Sequence, residues 1–336
     1  MVVTANENTS ILCISHIADA DGVCAAGLIK HIFGGDTILV QTSEFIKEVE
    51  KVSNYEMLKS LYICDFGIDE ENEERFIKIM EKLLVRNISI TYIDHHPLNS
   101  ELKKRLKLIG IKIIHNDDEC ATVLVYKEFH EKFTYKMQFI SACAAITDYV
   151  DKSLESSKLV SMFDRQYLFA NATMLTYYIS NKLKDDKAMK DLVKDLSNSK
   201  FPCEIQGFFK SIEIEMPKIV GLMQYVKEHV VVLDNLAYVE IKGEYRPKDA
   251  AHFIHGLSHK NVGIAYKKNH KCCGLSIKGS GTQPHLGMLS RKISPLFEGS
   301  GNGHKDACGC RIPEQNITSF IQEFNTQLGK HVYDQQ

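Results

Sequence analysis

Over the first third of the chain, short apolar runs end repeatedly in turns that carry carboxylates and imidazoles. Ile11–Ile14 leads into Ser15-His16-Ile17-Ala18-Asp19-Ala20-Asp21-Gly22, Leu61–Cys64 leads into Asp65, and Ile88–Ile93 leads into Asp94-His95-His96. Between these runs the apolar spacing turns helical at Gly22–Phe33, Glu70–Leu84 and Pro97–Leu108, and further strands are expected at Ile38–Val40 and Ile111–Ile114. Strands alternating with helices predict an α/β fold: an N-terminal, mostly parallel sheet with helices on both faces. In such sheets ligands bind beyond the carboxyl ends of the strands, where the three polar turns would meet.

From Glu119 to about Lys227 the pattern is almost entirely helical, clearest in Met137–Val150 and Gln166–Ile179. The polar, charge-dense stretch Lys182–Lys200, just before Phe201-Pro202, is the expected linker. After His229 the texture changes to strands at His229–Leu233, Ala237–Ile241, Asn261–Lys267 and Cys272–Ile277, with helices at Lys248–Leu257 and His285–Phe297. This divides the chain into residues 1–185, a helical connector 186–228, and a second, smaller α/β lobe 229–336. Gly299-Ser-Gly301-Asn-Gly303-His304 reads on its own as a flexible loop.

The 336 residues suit two domains, each large enough for its own core. No apolar stretch approaches the roughly 18 to 20 residues of a membrane span, and the first ten residues lack the basic and apolar regions of a secretory signal. A cytoplasmic protein with no membrane partner is expected. The ten cysteines form no spaced framework and read as reduced thiols. Structural zinc, for which His304, Cys308 and Cys310 come closest, lacks the usual framing spacing. A formal charge of −2 excludes the global basic field of a general duplex-binding protein.

Carboxylates converging at strand ends repel one another unless a divalent cation neutralises them. Mixed imidazole and carboxylate donors suit Mn²⁺, with Mg²⁺, Zn²⁺ or Co²⁺ as other ions such a set accepts. Two ions about 3.5 to 4 Å apart would clamp a phosphoryl group for in-line hydrolysis. His96 could instead face the substrate and donate where negative charge develops. Each motif also has a plain structural reading. Asp94-His95-His96 could be a solvated turn, Asp19 and Asp21 the cap of a helix, Asp65 a cap, and Asp148 a buried, hydrogen-bonded carboxylate.

Taken together, these residues resemble the DHH phosphoesterase superfamily, in the branch with a DHH-associated C-terminal domain; RecJ-like exonucleases and short-oligonucleotide phosphodiesterases belong there. The matching motifs are Ser15-His16-x2-Asp19-Ala20-Asp21-Gly22, then Asp65, Asp94-His95-His96, Asp148, and Gly301-Asn302-Gly303-His304-Lys305-Asp306-Ala307-Cys308-Gly309. The resemblance implies that His16, Asp19 and Asp65 hold one metal and that Asp21, Asp65, His95 and Asp148 hold the other, with Asp65 bridging. It also implies that Asp94 orients the neighbouring imidazoles and that His96 meets the phosphate. Lys278, Arg291, Gly303 and His304 of the second lobe would bind substrate, in an active site lying in the interlobe cleft. Lys278 stands where similar proteins often have arginine, and a lysine offers a point charge rather than a bidentate fork.

Activities in this superfamily include single-strand exonuclease, oligoribonuclease, cyclic dinucleotide phosphodiesterase and polyphosphatase. Neutral charge and the absence of tryptophan argue against tracking of long strands. The expectation is a two-metal, Mn²⁺-dependent phosphodiesterase or exonuclease releasing mononucleotides from single-stranded or short oligonucleotides. Its alternative is a hydrolase of cyclic dinucleotides, polyphosphate or another small phosphoester. A non-catalytic replication scaffold is disfavoured, because every expected ligand is present. The helical segment could carry a homodimer interface or simply pack on the sheet, and partners in replication or repair are compatible with this reading.

Overall fold

A computed structural model describes the chain apart from Met1, Thr4, residues 282–283, His304 and residues 334–336, and apart from the side chains of Val2 and residues 331–333. It forms two compact units, residues 1–215 and 216–336. The first unit runs β1 (Val2–Val3), β2 (Ile11–His16), α1 (Ala20–Phe33), β3 (Asp36–Val40), α2 (Phe45–Val52), β4 (Ser60–Cys64), α3 (Glu73–Val85), β5 (Ser89–Asp94), α4 (Ser100–Leu108) and β6 (Lys112–His115). It continues through α5 (Ala121–Phe129), α6 (Tyr135–Thr147), α7 (Leu154–Ser161), α8 (Arg165–Lys182), α9 (Asp186–Ser197) and the start of α10 (Phe208–His229).

The sheet order is β1-β3-β2-β4-β5-β6, parallel throughout except for β1, which pairs antiparallel to β3 at one edge. Both faces are covered, which is why the strands read as continuous apolar runs. Leu12, Ile14, Ile38, Val40, Leu61, Ile63, Ile90 and Tyr92 pack against α2, α3 and α4 in one core. The alternate residues Cys13, Leu39, Cys64 and Ile93 pack against α1, α5, α6, α8 and α9 in another. The period of two along each strand thus divides its side chains between two helical layers.

Several boundaries differ from the sequence expectation. The stretch 182–200 is not a linker: it contains α9, whose Met189, Leu192, Val193 and Leu196 are buried in the same core as α1. Their spacing is that of one helical face, and the lysines and aspartates between them occupy the other. High mean polarity concealed a strongly two-faced helix. Helix α4 begins at Ser100 rather than Pro97, because the Asn99 side chain accepts a hydrogen bond from the Glu101 amide at 3.0 Å and fixes the start. Helix α2 was not expected at all.

The second unit continues from α10 through β7 (Val231–Val232), β8 (Ala237–Glu240), α11 (Pro247–Ser258), β9 (Val262–Asn269), β10 (Cys272–Gly279), α12 (Leu286–Ile293), β11 (Ser300–Gly303), β12 (Ala307–Pro313) and α13 (Ile317–Tyr333). Its sheet has the order β11-β12-β10-β9-β8-β7, antiparallel except for the β8–β9 pair. The glycine-rich segment expected as a flexible loop is strand β11, with Gly301 opposite Cys310 and Gly303 opposite Cys308. Its glycines are required by close approach: a Cβ on Gly301 would lie 2.6 Å from Ser294 Oγ, and one on Gly303 2.5 Å from the Ala307 carbonyl. Among the described residues, no helix is long and apolar enough to cross a membrane.

Candidate metal centre

The parallel register determines which residues meet. His16 follows Ser15, which is opposite Cys64; Asp65 follows Cys64, which is opposite Ile93; and Asp94 is opposite His115 at the end of β6. His16, Asp65, Asp94-His95-His96 and His115 therefore share the carboxyl edge of the sheet. Asp65 has φ of 62°, in the left-handed region, while its amide donates to the Ile93 carbonyl at 3.0 Å. That conformation is tolerated best by glycine, asparagine and aspartate, and it turns the Asp65 carboxylate inward at the point where β4 ends.

The turn after β2 brings two more carboxylates. Asp19 caps α1, accepting from the Gly22 amide at 3.3 Å, and its other oxygen lies 3.1 Å from His16 Nδ1. It is thus both the helix cap of the plain reading and a member of the cluster. Gly22 is required here, since a Cβ would come within 2.3 Å of the His16 carbonyl. Asp21 is buried, with its two oxygens accepting from the amides of Ala121 (2.7 Å) and Thr122 (2.8 Å) at the start of α5. Asp148 enters from the end of α6, where its own amide still bonds to the Ala144 carbonyl and Tyr149 takes a positive φ.

The six side chains converge. Asp65 lies between two histidines, with Oδ2 3.6 Å from His16 Nδ1 and Oδ1 3.3 Å from His95 Nε2. His95 is buried, and its Nδ1 lies 3.5 Å from Asp148 Oδ2 while its Nε2 is 3.9 Å from Asp21 Oδ2. His16, Asp19 and Asp65 form one group able to hold a cation, and Asp21, His95 and Asp148 form another. Asp65, His95 and His96 form a third overlapping group.

Charge in this cluster is unbalanced. Burial, with the neighbouring Asp65 and Asp148 charges, pushes the Asp21 carboxyl up to about 7. Burial likewise pushes Asp148 up to about 6, with Asp65 and Asp19 adding to the shift against the opposing effect of His95. Burial acts against protonation of His16, yet Asp19 and Asp65 overcome it and raise this imidazole to about 10. Asp65 itself is held well below the usual carboxylate range, because His16 and His95 outweigh its burial. Without a metal, Asp21 and Asp148 are pushed toward their protonated forms. A divalent cation in contact with these donors would offset the repulsion behind that shift, so the donor set fits a metal in both number and chemistry.

His96 is held differently. Its ring is partly exposed, its Nδ1 lies 2.8 Å from Asp94 Oδ1, and its amide donates to Asp94 Oδ2 at 3.2 Å. Asp94 is fully buried and also accepts from the Tyr92 hydroxyl at 2.9 Å, while that hydroxyl contacts the Phe66 carbonyl. Asp94 thus engages His96 through both the ring and the backbone amide. Burial opposes protonation of His96, but Asp94 more than compensates and raises it.

Three supporting residues lay outside the sequence reading as functional groups. Tyr92 is an inward residue of a buried strand, with no signal to separate it from its apolar neighbours. Thr122 follows the Cys120-Ala121 start of α5 and was masked by the helical pattern. His115 had a signal, a histidine at the end of an apolar strand, as in β2 and β5.

In the second unit, Lys278 on β10 is opposite Ala307 on β12, next to the Gly303–Cys308 pair. Arg291 Nη2 donates to Asn302 Oδ1 at 3.0 Å, and that oxygen also accepts from the Gly303 amide at 2.9 Å. Lys278, Arg291 and Gly303 are therefore gathered at one end of this sheet; His304, also expected there, lies outside the described residues. On α11, His252 is depressed to about 3 by burial and by Lys278, Lys248 and His255, which marks a locally positive environment that the sequence reading did not identify.

Comparison with known proteins agrees with the architecture. Residues 10–149 match the model of the DHH family N-terminal domain, and residues 234–330 match that of the DHHA1 domain. No curated protein matches by sequence. A pGpG-specific phosphodiesterase, PggH from Vibrio cholerae, is similar in structure with a TM-score of 0.55 and 13% identity, covering 96% of this chain and 99% of that one. RecJ from Thermus thermophilus in complex with Mn²⁺ gives a TM-score of 0.63 and 13% identity over 96% of this chain, which spans only 52% of that RecJ. CDC45 from Entamoeba histolytica gives 0.58 and 11% identity over 95% of both chains. At these identities the likenesses speak for the fold. The two domain models, in the expected order and spanning more than half of the sequence together, show that the chain belongs to the DHH phosphoesterase superfamily and carries a DHHA1 domain.

Proposed function

We propose that the protein is a Mn²⁺-dependent phosphodiesterase or exonuclease that hydrolyses short, single-stranded oligonucleotides to mononucleotides. The observation that carries this reading is the pairing of two acidic-imidazole groups, both next to Asp65, with the partly exposed, Asp94-anchored His96 beside them. His16, Asp19 and Asp65 would hold one cation, and Asp21, Asp65, His95 and Asp148 the other. When bound, the two cations supply Lewis acidity at the phosphoryl group and an activated water for in-line displacement. Manganese suits the two-histidine donor set better than magnesium, which favours oxygen.

The chain's own groups do the rest. Asp94 accepts from His96 Nδ1, which leaves Nε2 as the ring's outward donor; raised above its ordinary value, His96 offers a proton-bearing Nε2 to a phosphoryl oxygen as charge accumulates. Lys278, Arg291 and Gly303 of the DHHA1 domain supply anion contacts for substrate phosphates, and we place His304 in the same role. Ten free cysteines accord with a reducing cytoplasm.

A second reading, a small phosphoester such as a linear or cyclic dinucleotide, is favoured by the near-complete mutual coverage with the pGpG-specific enzyme. Both readings are tested by one panel: labelled RNA and DNA from dinucleotides upward, cyclic dinucleotides and polyphosphate, each with Mn²⁺, Mg²⁺ or Co²⁺. Mononucleotide release from short single strands with Mn²⁺ is the expected result. Preferential turnover of one small phosphoester replaces it with the second reading, and no hydrolysis of any substrate overturns both.

A further inference from the structure

We infer that His115 is a positioning residue for His96, acting as a donor whose tautomer is fixed by the His96 carbonyl on one side and Lys103 on the other. His115 is almost fully buried at the end of β6, opposite Asp94 in the parallel register. Its Nε2 lies 2.8 Å from the His96 backbone carbonyl, and its Nδ1 lies 3.2 Å from Lys103 Nζ on α4. Asp117, mostly exposed, is further away, with its carboxylate 3.8 Å from Nδ1.

The hydrogen-bond inventory of these groups leaves one arrangement. A carbonyl oxygen only accepts, so Nε2 must carry the proton it donates to His96. A lysine ammonium only donates, so Nδ1 must present its lone pair to Lys103. His115 therefore takes the Nε2–H tautomer, with both ring nitrogens engaged. The His96 residue is then held at three points: Asp94 fixes its ring and its amide, His115 fixes its carbonyl, and Gly67 lies close enough that a Cβ there would stand 3.0 Å from His96 Cβ.

This constraint matters because His96 follows the strand and has no ladder partner of its own. A partly exposed ring on a free turn would sample several orientations. Anchored on both sides, its Nε2 keeps one direction, and partners of this kind that orient a functional group are typically worth about 10- to 100-fold in activity. The inference rests on the proposed role of His96, but the tautomer of His115 does not.

The test has two arms. In ¹⁵N-labelled protein, the His115 ring should show a protonated Nε2 and an unprotonated Nδ1. An Nδ1–H tautomer in the wild type overturns the inference whether or not the protein has activity. In the second arm, His115→Gln places an amide donor near the Nε2 position and should keep turnover within about threefold, whereas His115→Asn and His115→Phe should lower kcat by about 10- to 100-fold. KM and Mn²⁺ uptake, measured by metal analysis, should stay as in the wild type. Equal loss in all three variants, or loss of metal along with turnover, overturns the positioning role. If the wild type hydrolyses nothing, the proposed function fails and the spectroscopic arm still decides the hydrogen-bond assignment.

Discussion

Asp65 is the residue on which the cluster turns, because it contacts both His16 and His95 and takes a left-handed backbone to do so. Asp65→Ala should abolish turnover, falling at least about a thousandfold as both positioned charges lose their shared partner, and should reduce Mn²⁺ uptake measured by metal analysis. Retained uptake of two ions per chain would refute a shared role. Metal removal should expose the charge imbalance through pH. The folded pKa values of Asp21 and Asp148 are raised above 3.8, to about 7 and about 6. The metal-free fold therefore binds more protons than the unfolded chain between about pH 4 and 7, and loses stability as pH rises through that window. His16, raised from 6.5 to about 10, extends the loss in the same direction between those values. Asp65 acts oppositely as pH falls below its ordinary value of 3.8, and His252, depressed from 6.5 to about 3, acts oppositely between those values. In chelator, Tm should therefore fall most clearly above about pH 6.5 and on to pH 9, and saturating Mn²⁺ should flatten the profile. A metal-free Tm that rises with pH across that range would contradict the charge assignment.

At the scale of elements, α9 shows what the pattern of polarity hides. Leu196 is buried against α1, and a Cβ on Gly27 would stand only 2.8 Å from Leu196 Cβ, so the two helices cross closely. Leu196→Ala should destabilise the protein by about 2 to 5 kcal/mol in denaturant titration, whereas the exposed Lys190→Ala should stay within about 0.5 kcal/mol. A small effect at Leu196 would mean that α9 does not belong to this core. The strands β2, β4 and β5 were legible because each is apolar on both faces and ends in a polar turn. Their parallel order then brings His16, Asp65 and Asp94 to one edge without further information. Helix α9 and strand β11 were not legible, since one keeps its apolar residues on a narrow face and the other is built of glycines chosen for close contact. The site followed the same division. Carboxylates and histidines at strand ends announce themselves, but His115 acts through the His96 carbonyl and Tyr92 through Asp94, and such contacts exist only once strands are in register.

For the whole molecule, the distribution of charge bears on substrate length. With a net charge of −2, attraction to a polyanion must be local, and on the proposed function it would come from groups such as Lys278 and Arg291. A single-stranded ligand releases about 0.7 counterions for each phosphate neutralised. A contact set of two or three cations therefore predicts that log(kcat/KM) falls with log[salt] at a slope of about −1.4 to −2.1, nearly independent of oligonucleotide length beyond the first few nucleotides. An enzyme that tracks long strands through an extended basic groove would show a steeper slope that grows with length. Measuring kcat/KM for dinucleotide, pentanucleotide and longer substrates across a series of salt concentrations at fixed Mn²⁺ separates the two. A shallow, length-independent slope supports action on short or end-bound substrates. A slope that steepens with each added nucleotide would instead require a basic path along the protein surface, and would place the exposed lysines Lys104 and Lys107 of α4 first among the residues to examine.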